Sequence, residues 1–290
     1  MNANQTQTIS NPILDFFAFL RRPNAETISA PLKQKLLVMA VIVALDILIG
    51  ILATLVTAPI EALISVQAQH AGEAVAQLGF MLALAGIFVA PLIEEVTFRL
   101  WLAPNPLFFF ISFALITTQY APLPFTGQLR EVGLADDFLV LVRIAFYLII
   151  GAVITLFFYL RQRGGKPYAD FFRRYVAVYY YVAAIVFGFV HLSNYNYNVE
   201  PWWYAPVLIL PQLIGGFVFG YIRIRLGFWY AVLAHMATNL LWTLGDGMNA
   251  LFGETGGVVW LAILFVPSLA VVVMTFRKNL VSVEKALPQG

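Results

Sequence analysis

Eight apolar stretches of about 20 residues dominate this chain, and they restrict it to folds that cross a lipid bilayer. Hydrophobic residues make up 61% of the 290 residues and charged residues only 11%, whereas soluble domains carry roughly 25% charge. Unpaired backbone polar groups are not tolerated in lipid, so each stretch is expected to be a helix. We predict an all-α fold, a polytopic membrane helical bundle of about eight transmembrane helices, with spans at 36–58, 77–102, 107–123, 138–160, 175–195, 204–222, 228–245 and 257–276.

Basic residues cluster on one side of these spans, which orients the chain. They precede the first span, fill the loop between the fourth and fifth, and follow the sixth and eighth, while the opposite loops are mainly acidic. By the positive-inside rule both termini are predicted to be cytoplasmic. The whole chain, 1–290, is then one integral membrane domain. Its parts are an interfacial segment at 1–35, a transmembrane bundle at 36–276 and a cytoplasmic tail at 277–290.

Two aromatic segments are predicted to lie at the membrane interface rather than to span it. Residues 12–22 are short, aromatic and basic at the end, as expected of a helix on the cytoplasmic surface. Residues 194–204 mix asparagines with tyrosines and tryptophans, which is typical of an aromatic belt at the far interface. Both segments are interpreted as anchors.

Composition excludes several classes of function. The chain has no cysteine, so thiolate metal sites and cysteine nucleophiles are ruled out. The net charge is +2, and no basic cluster with interleaved aromatics resembles a nucleic-acid-binding face. The expected partners are the lipid bilayer and a peptide or membrane-protein substrate, without nucleic acid.

Polar side chains inside the second span indicate a functional site. Glu94 and Glu95 are adjacent in an otherwise apolar run, and Arg99 follows. Ionisable groups at membrane depth are expensive and are therefore candidates for function by default. On a helix Arg99 and Glu95 face each other at i, i+4, which predicts a supporting ion pair and leaves Glu94 without a partner close in sequence.

Two histidines also lie in apolar runs. His191 follows Phe187 by four residues, and His235 precedes Asn239 by four, so each pair lies on one helix face. A desolvated carboxylate such as Glu94 is suited to remove a proton from water. One histidine can hold that water, while the other and an asparagine amide can donate hydrogen bonds to an oxyanion. These residue types fit a hydrolase.

Taken together, Glu-Glu-x-x-x-Arg, Phe-x-x-x-His and His-x-x-x-Asn in this order on apolar helices resemble the motifs of the CPBP family of intramembrane endopeptidases. That family includes CAAX prenyl endopeptidases and bacteriocin-processing proteins. The resemblance is strongest over 85–102 and 180–242. It implies a metal-independent, glutamate-dependent peptidase without a cofactor. By this resemblance Glu94 is the base, with Glu95 beside it in the catalytic set; His191 positions the water, His235 and Asn239 form the oxyanion site, and Arg99 and Phe187 give structural support.

The spacing of the motifs departs from the family pattern. Between Glu95 and His191 lie 95 residues, a longer gap than is usual, and the extra length holds two predicted spans, 107–123 and 138–160. Straight helices would separate Glu94 and His191 by on the order of 10–15 Å in depth. Either helix tilt or a break near Pro91 could bring them together.

Other chemistries use some of the same residues. Glu94, His191 and His235 could bind zinc, but the sequence lacks His-Glu-x-x-His, and neither histidine has a carboxylate close in sequence to orient it. An aspartyl protease would need Asp46 with Asp246, although Asp46 is better explained by a pair with Arg143. No Gly-x-Ser-x-Gly is present for a serine protease. A non-catalytic transporter or scaffold is the alternative of a different class, but no internal repeat supports a transporter.

Overall fold

The computed structural model describes residues 11–64, 80–124, 126–131, 133, 135–165, 167–194 and 204–286. Across these residues the chain is helical and contains no strand. The helices are α1 (Pro12–Arg21), α2 (Leu32–Ile64), α3 (Phe80–Leu84), a π-helical segment (Ala85–Val89), α4 (Ala90–Phe98), α5 (Pro106–Tyr120), α6 (Thr126–Glu131), α7 (Asp136–Arg163), α8 (Tyr168–Val190), a 3-10 segment (His191–Asn194), α9 (Ala205–Leu208), α10 (Leu210–Arg225) and α11 (Phe228–Ala286).

Four helical segments of the described chain are long and apolar enough to cross a membrane. They are Leu32–Ile60, Asp136–Arg163, Tyr168–Asn194 and Phe228–Arg277. The predicted third span corresponds to α5, which has only 15 residues, and the predicted sixth span corresponds mainly to α10, with 16 residues. The all-helical membrane architecture is therefore confirmed, while the count of eight spans stays a prediction. Residues 195–203 of the predicted aromatic belt lie outside the described residues.

The last segment, α11, contains two helices joined by a kink. A straight helix of 59 residues would be about 90 Å long, far more than one bilayer thickness. The chain breaks at Gly253, whose φ of 65° lies in the left-handed region that only glycine adopts freely. The break falls between the predicted spans 228–245 and 257–276.

Small residues in α10 let it approach α8 closely. A Cβ atom added at Gly216 would lie 2.9 Å from the backbone oxygen of Ala184. A Cβ at Gly220 would meet the ring of Tyr180, whose hydroxyl donates to the carbonyl of Phe217 at 2.9 Å. This close contact, together with the packing of α2 on α10 and α11, builds the core that carries the site.

The interfacial helix α1 is packed into the bundle rather than only resting on its surface. Its inner face, Ile13, Phe16 and Phe19, is at most 3% exposed. Asp15 accepts a hydrogen bond of 2.7 Å from the Tyr221 hydroxyl and pairs with Arg225 at 3.2 Å. The helix predicted at 12–22 is thus present, and its polar contacts join it to the C-terminal end of α10.

Asp46 has a different environment from the one predicted. Both Asp46 and Arg143 lie in the described part of the chain, and no ion pair within 4.0 Å joins them, so that pairing was wrong. The two residues belong to helices α2 and α7, and the main packing partners of α2 are α10 and α11 instead. Gly50 of α2 packs against the ring of Trp242, and Lys35 lies over Tyr230.

These two contacts show that α2 runs parallel to the first half of α11. Trp242 precedes Asp246 by four residues, and Gly50 follows Asp46 by four. The two aspartates are therefore separated by about eight residues, or roughly 12 Å, along the helix axes. That offset does not suit an aspartyl protease dyad.

We predict that Gly216→Ala lowers the free energy of unfolding by about 1–3 kcal/mol, because its methyl group would collide with backbone atoms of α8. Thermal unfolding in detergent measures the effect. Gly247→Ala is the matched control, since a Cβ there meets nothing within 4 Å. Equal unfolding temperatures for the two variants would contradict the close packing of α8 and α10.

Candidate active site

Three of the predicted site residues meet at one point. The Glu94 Oε2 atom lies 4.0 Å from His191 Nε2 and 3.7 Å from His235 Nε2. Glu94 comes from α4, His191 from the start of the 3-10 segment that follows α8, and His235 from the first half of α11. The depth offset expected for straight helices is therefore absent. The Glu94 side chain is 27% exposed, so it is partly accessible from outside the packed core.

Glu95 has a separate set of partners. Its side chain is 0% exposed, and its Oε1 atom lies 3.3 Å from the guanidinium of Arg99 and 2.9 Å from His235 Nδ1. The predicted i, i+4 contact between Glu95 and Arg99 is thus present. Arg99 is also 0% exposed, and its guanidinium lies 3.6 Å from the centre of the Phe187 ring. Glu95 and Arg99 compensate each other's charge inside an apolar core, and Phe187 covers the cation.

Both histidines are oriented through their Nδ1 atoms. His191 Nδ1 lies 2.7 Å from the Phe187 carbonyl oxygen, which only accepts hydrogen bonds, so this nitrogen carries a proton. His235 Nδ1 contacts the Glu95 carboxylate, and its ring stacks on Phe219 with 4.4 Å between the ring centres. In both residues Nε2 is therefore the atom that faces Glu94.

The hydrogen bond that Asn239 makes in the described part of the chain is to the backbone and not to Glu94 or the histidines. The Asn239 Nδ2 atom donates to the carbonyl oxygen of Gly86 at 3.0 Å. Gly86 belongs to the π-helical segment that precedes α4. The amide is half-buried, one helical turn from His235 on the same face.

Three supporting contacts could not be read from the sequence pattern. Arg223 donates to the Arg99 carbonyl oxygen at 3.0 Å and thereby caps the C-terminal end of α4. Phe219 supplies the stacking surface for His235, and Glu95 supplies the carboxylate that orients it. The sequence analysis used the basic residues after the sixth predicted span, Arg223 among them, only to orient the chain in the membrane.

A cleft of about 510 Å³ lies next to the part of α8 that precedes His191, and its lining does not include Glu94, His191 or His235. It is bounded by α8 and the end of α5, and its lining includes Val190 and Ser193, which flank His191 in sequence. Tyr120 closes one side, with its ring 6.0 Å from that of Phe98. Tyr120 comes from the long insertion between the first and second motifs, which therefore contributes to the surroundings of the site.

Residues 76–241 match the model of the family described as type II CAAX prenyl endopeptidase Rce1-like. The match covers more than half of the chain and contains all three motifs. A search of curated proteins and a search of solved structures found no match.

We predict that Arg99→Ala destabilises the protein by about 3–5 kcal/mol, because it leaves the Glu95 carboxylate buried without its cation. Thermal unfolding and expression yield measure the change, and activity should fall with them. Arg173→Ala is the control, since Arg173 pairs with Asp170 at an exposed position. An Arg99→Ala protein that unfolds like wild type but binds substrate more weakly would make Arg99 a binding residue instead.

Proposed function

The chain belongs to the type II CAAX prenyl endopeptidase Rce1-like family, and we propose that it is an intramembrane endopeptidase in which Glu94 activates water to hydrolyse a peptide bond. The family match agrees with the resemblance to CPBP endopeptidases inferred from the motifs. The observation that carries the proposed mechanism is the convergence of Glu94, His191 and His235.

The separation of Glu94 and His191 suits one bridging water. At 4.0 Å the carboxylate oxygen and the imidazole nitrogen are too far apart for a direct hydrogen bond and close enough to share a water. Because His191 Nδ1 carries the proton, its Nε2 accepts. The water then donates one hydrogen to Glu94 and the other to His191, which leaves its lone pair for the scissile carbonyl carbon.

Attack forms the new C–O bond and moves the water proton to Glu94. The carbonyl oxygen becomes an oxyanion, which needs donors in a site of low dielectric constant. We assign these donors to His235 Nε2 and Asn239 Nδ2. When the intermediate collapses, the C–N bond breaks and Glu94 returns the proton to the leaving nitrogen.

Donation from His235 Nε2 requires the doubly protonated imidazolium, since Nδ1 already donates to Glu95. The two carboxylates beside this ring, Glu95 at 2.9 Å and Glu94 at 3.7 Å, are the counter-charges for that imidazolium.

The substrate is proposed to be a peptide segment that reaches Glu94 along the cleft beside His191. The walls of this cleft are mainly apolar, with Ile185, Val186 and Phe189 next to Tyr120 and Ser193. They suit apolar side chains of an extended peptide more than charged ones. A farnesylated, internally quenched CAAX peptide and its unprenylated form are the two probes that distinguish prenyl-dependent from prenyl-independent cleavage.

We further propose that residues 1–290 form a single membrane domain of eight spans with both termini on the cytoplasmic side. The basic loops support this orientation. The packing of α1 against α10 also supports it, because Arg225 and the basic end of α1 then lie on the same side.

A zinc peptidase is the second candidate, and one observation favours it. Metal-bound histidines usually donate their second nitrogen to a carboxylate or a backbone carbonyl. Here the Glu95 carboxylate contacts His235 Nδ1 and the Phe187 carbonyl contacts His191 Nδ1, although the sequence around the histidines predicted neither contact. A second observation argues against zinc: the described ranges of the chain contain no group of three metal-ligating side chains arranged to hold a metal ion.

We predict that Glu94→Gln abolishes turnover, with a loss of at least about 10²–10⁴-fold, while substrate binding is retained. The amide matches the shape of the carboxylate but does not accept the water proton. Cleavage of the quenched peptides by purified protein measures turnover, and Glu254→Gln is the control at an exposed position. Substantial cleavage by Glu94→Gln would remove Glu94 from its role as base.

We also predict that cleavage survives exhaustive treatment with a metal chelator. In the glutamate mechanism the base and the oxyanion donors are all side chains, so no ion is needed. Elemental analysis of the treated protein accompanies the assay. One zinc per chain, with activity lost on its removal and restored on its return, would support the metallopeptidase instead.

A further inference from the structure

The Gly86 carbonyl oxygen accepts a hydrogen bond from Asn239. Two features of the helix that contains Gly86 leave this oxygen without a helical hydrogen bond. In the π-helical segment the Ala90 N–H bonds to Ala85, five residues earlier, rather than to Gly86. The next donor in π register for Gly86 is residue 91, and Pro91 has no N–H. Both helical donors within reach of the Gly86 oxygen are thereby removed.

A carbonyl without a helical donor at membrane depth is costly unless another group bonds to it. The Asn239 amide supplies that bond across the interface between the π-helical segment and α11. An asparagine amide has two hydrogens, so the bond to Gly86 leaves the second one free. It also fixes the plane of the amide, and with it the direction of the free hydrogen.

We propose that Pro91 is a positioning residue. By keeping the Gly86 carbonyl free of helical donors, it fixes the Asn239 amide so that its second N–H points toward the oxyanion. This inference rests on the proposed function, since it assumes that Asn239 is an oxyanion donor. The proposal connects two parts of the site. The π-helical segment that orients Asn239 continues directly into α4, the helix that contains Glu94.

Substitution of Pro91 by alanine tests this role. Alanine restores an N–H at residue 91 that competes with Asn239 for the Gly86 carbonyl or returns the segment to α register. We expect kcat for the quenched peptide to fall about tenfold with KM unchanged, less than the 10²–10³-fold loss expected when an oxyanion donor is removed outright. Pro59→Ala is the matched control, a proline inside α2 at an exposed position.

A double-mutant cycle separates positioning from a general structural effect. If Pro91 acts through Asn239, Pro91→Ala has no further effect on kcat in the Asn239→Ala background. Independent, multiplicative losses would overturn the inference, as would unchanged kcat in Pro91→Ala. If Asn239→Ala alone leaves kcat unchanged, it is the oxyanion assignment of the proposed function that fails.

Thermal unfolding of the same proteins completes the test. Alanine and serine are both better than proline inside a helix and no larger than proline at this buried position, so Pro91→Ala and Pro91→Ser should unfold at or above the wild-type temperature. Loss of folded protein in both variants would also overturn the inference, because it requires that the helix accommodates an N–H at residue 91.

Discussion

The buried ion pair between Glu95 and Arg99 is the interaction on which the rest of the site depends. Neither side chain is exposed, and the contact is an ion pair of 3.3 Å rather than an aligned hydrogen bond. Around it lie the Phe187 ring from α8 and the His235 imidazole from α11. Removing either charge would leave the other unpaired in an apolar core. The pair therefore joins three helices and leaves the neighbouring glutamate free to face the two Nε2 atoms.

Much of this arrangement was predictable because polar residues are so rare in the spans. Glu94, His191 and His235 could be located from sequence, and the i, i+4 spacing identified Arg99 as the partner of Glu95. The partners of the Nδ1 atoms were not predictable, since they come from other helices or from the backbone. For the same reason the sequence gave no signal that Asn239 bonds to Gly86, and it suggested a wrong partner for Asp46.

The backbone just before Glu94 departs from regular α-helix. The sequence left two ways to bring Glu94 near His191, helix tilt or a break near Pro91, and the structure has a π-helical segment that ends just before Pro91. Such segments often occur at functional sites because they release backbone groups from helical hydrogen bonds. The long insertion between the motifs does not separate Glu94 from His191. Instead its helix α5 ends at Tyr120, on the wall of the cleft next to α8.

We propose that the two adjacent glutamates have different tasks, Glu94 in chemistry and Glu95 in structure. The most direct measurement is the unfolding temperature of Glu95→Gln beside that of Glu94→Gln, in the same detergent. We expect Glu95→Gln to unfold several degrees below wild type, at roughly 2–4 °C per kcal/mol for a chain of this size, because Arg99 loses its counter-charge. Glu94→Gln should unfold close to wild type. Equal destabilisation of both, or a stable Glu95→Gln, would contradict this division.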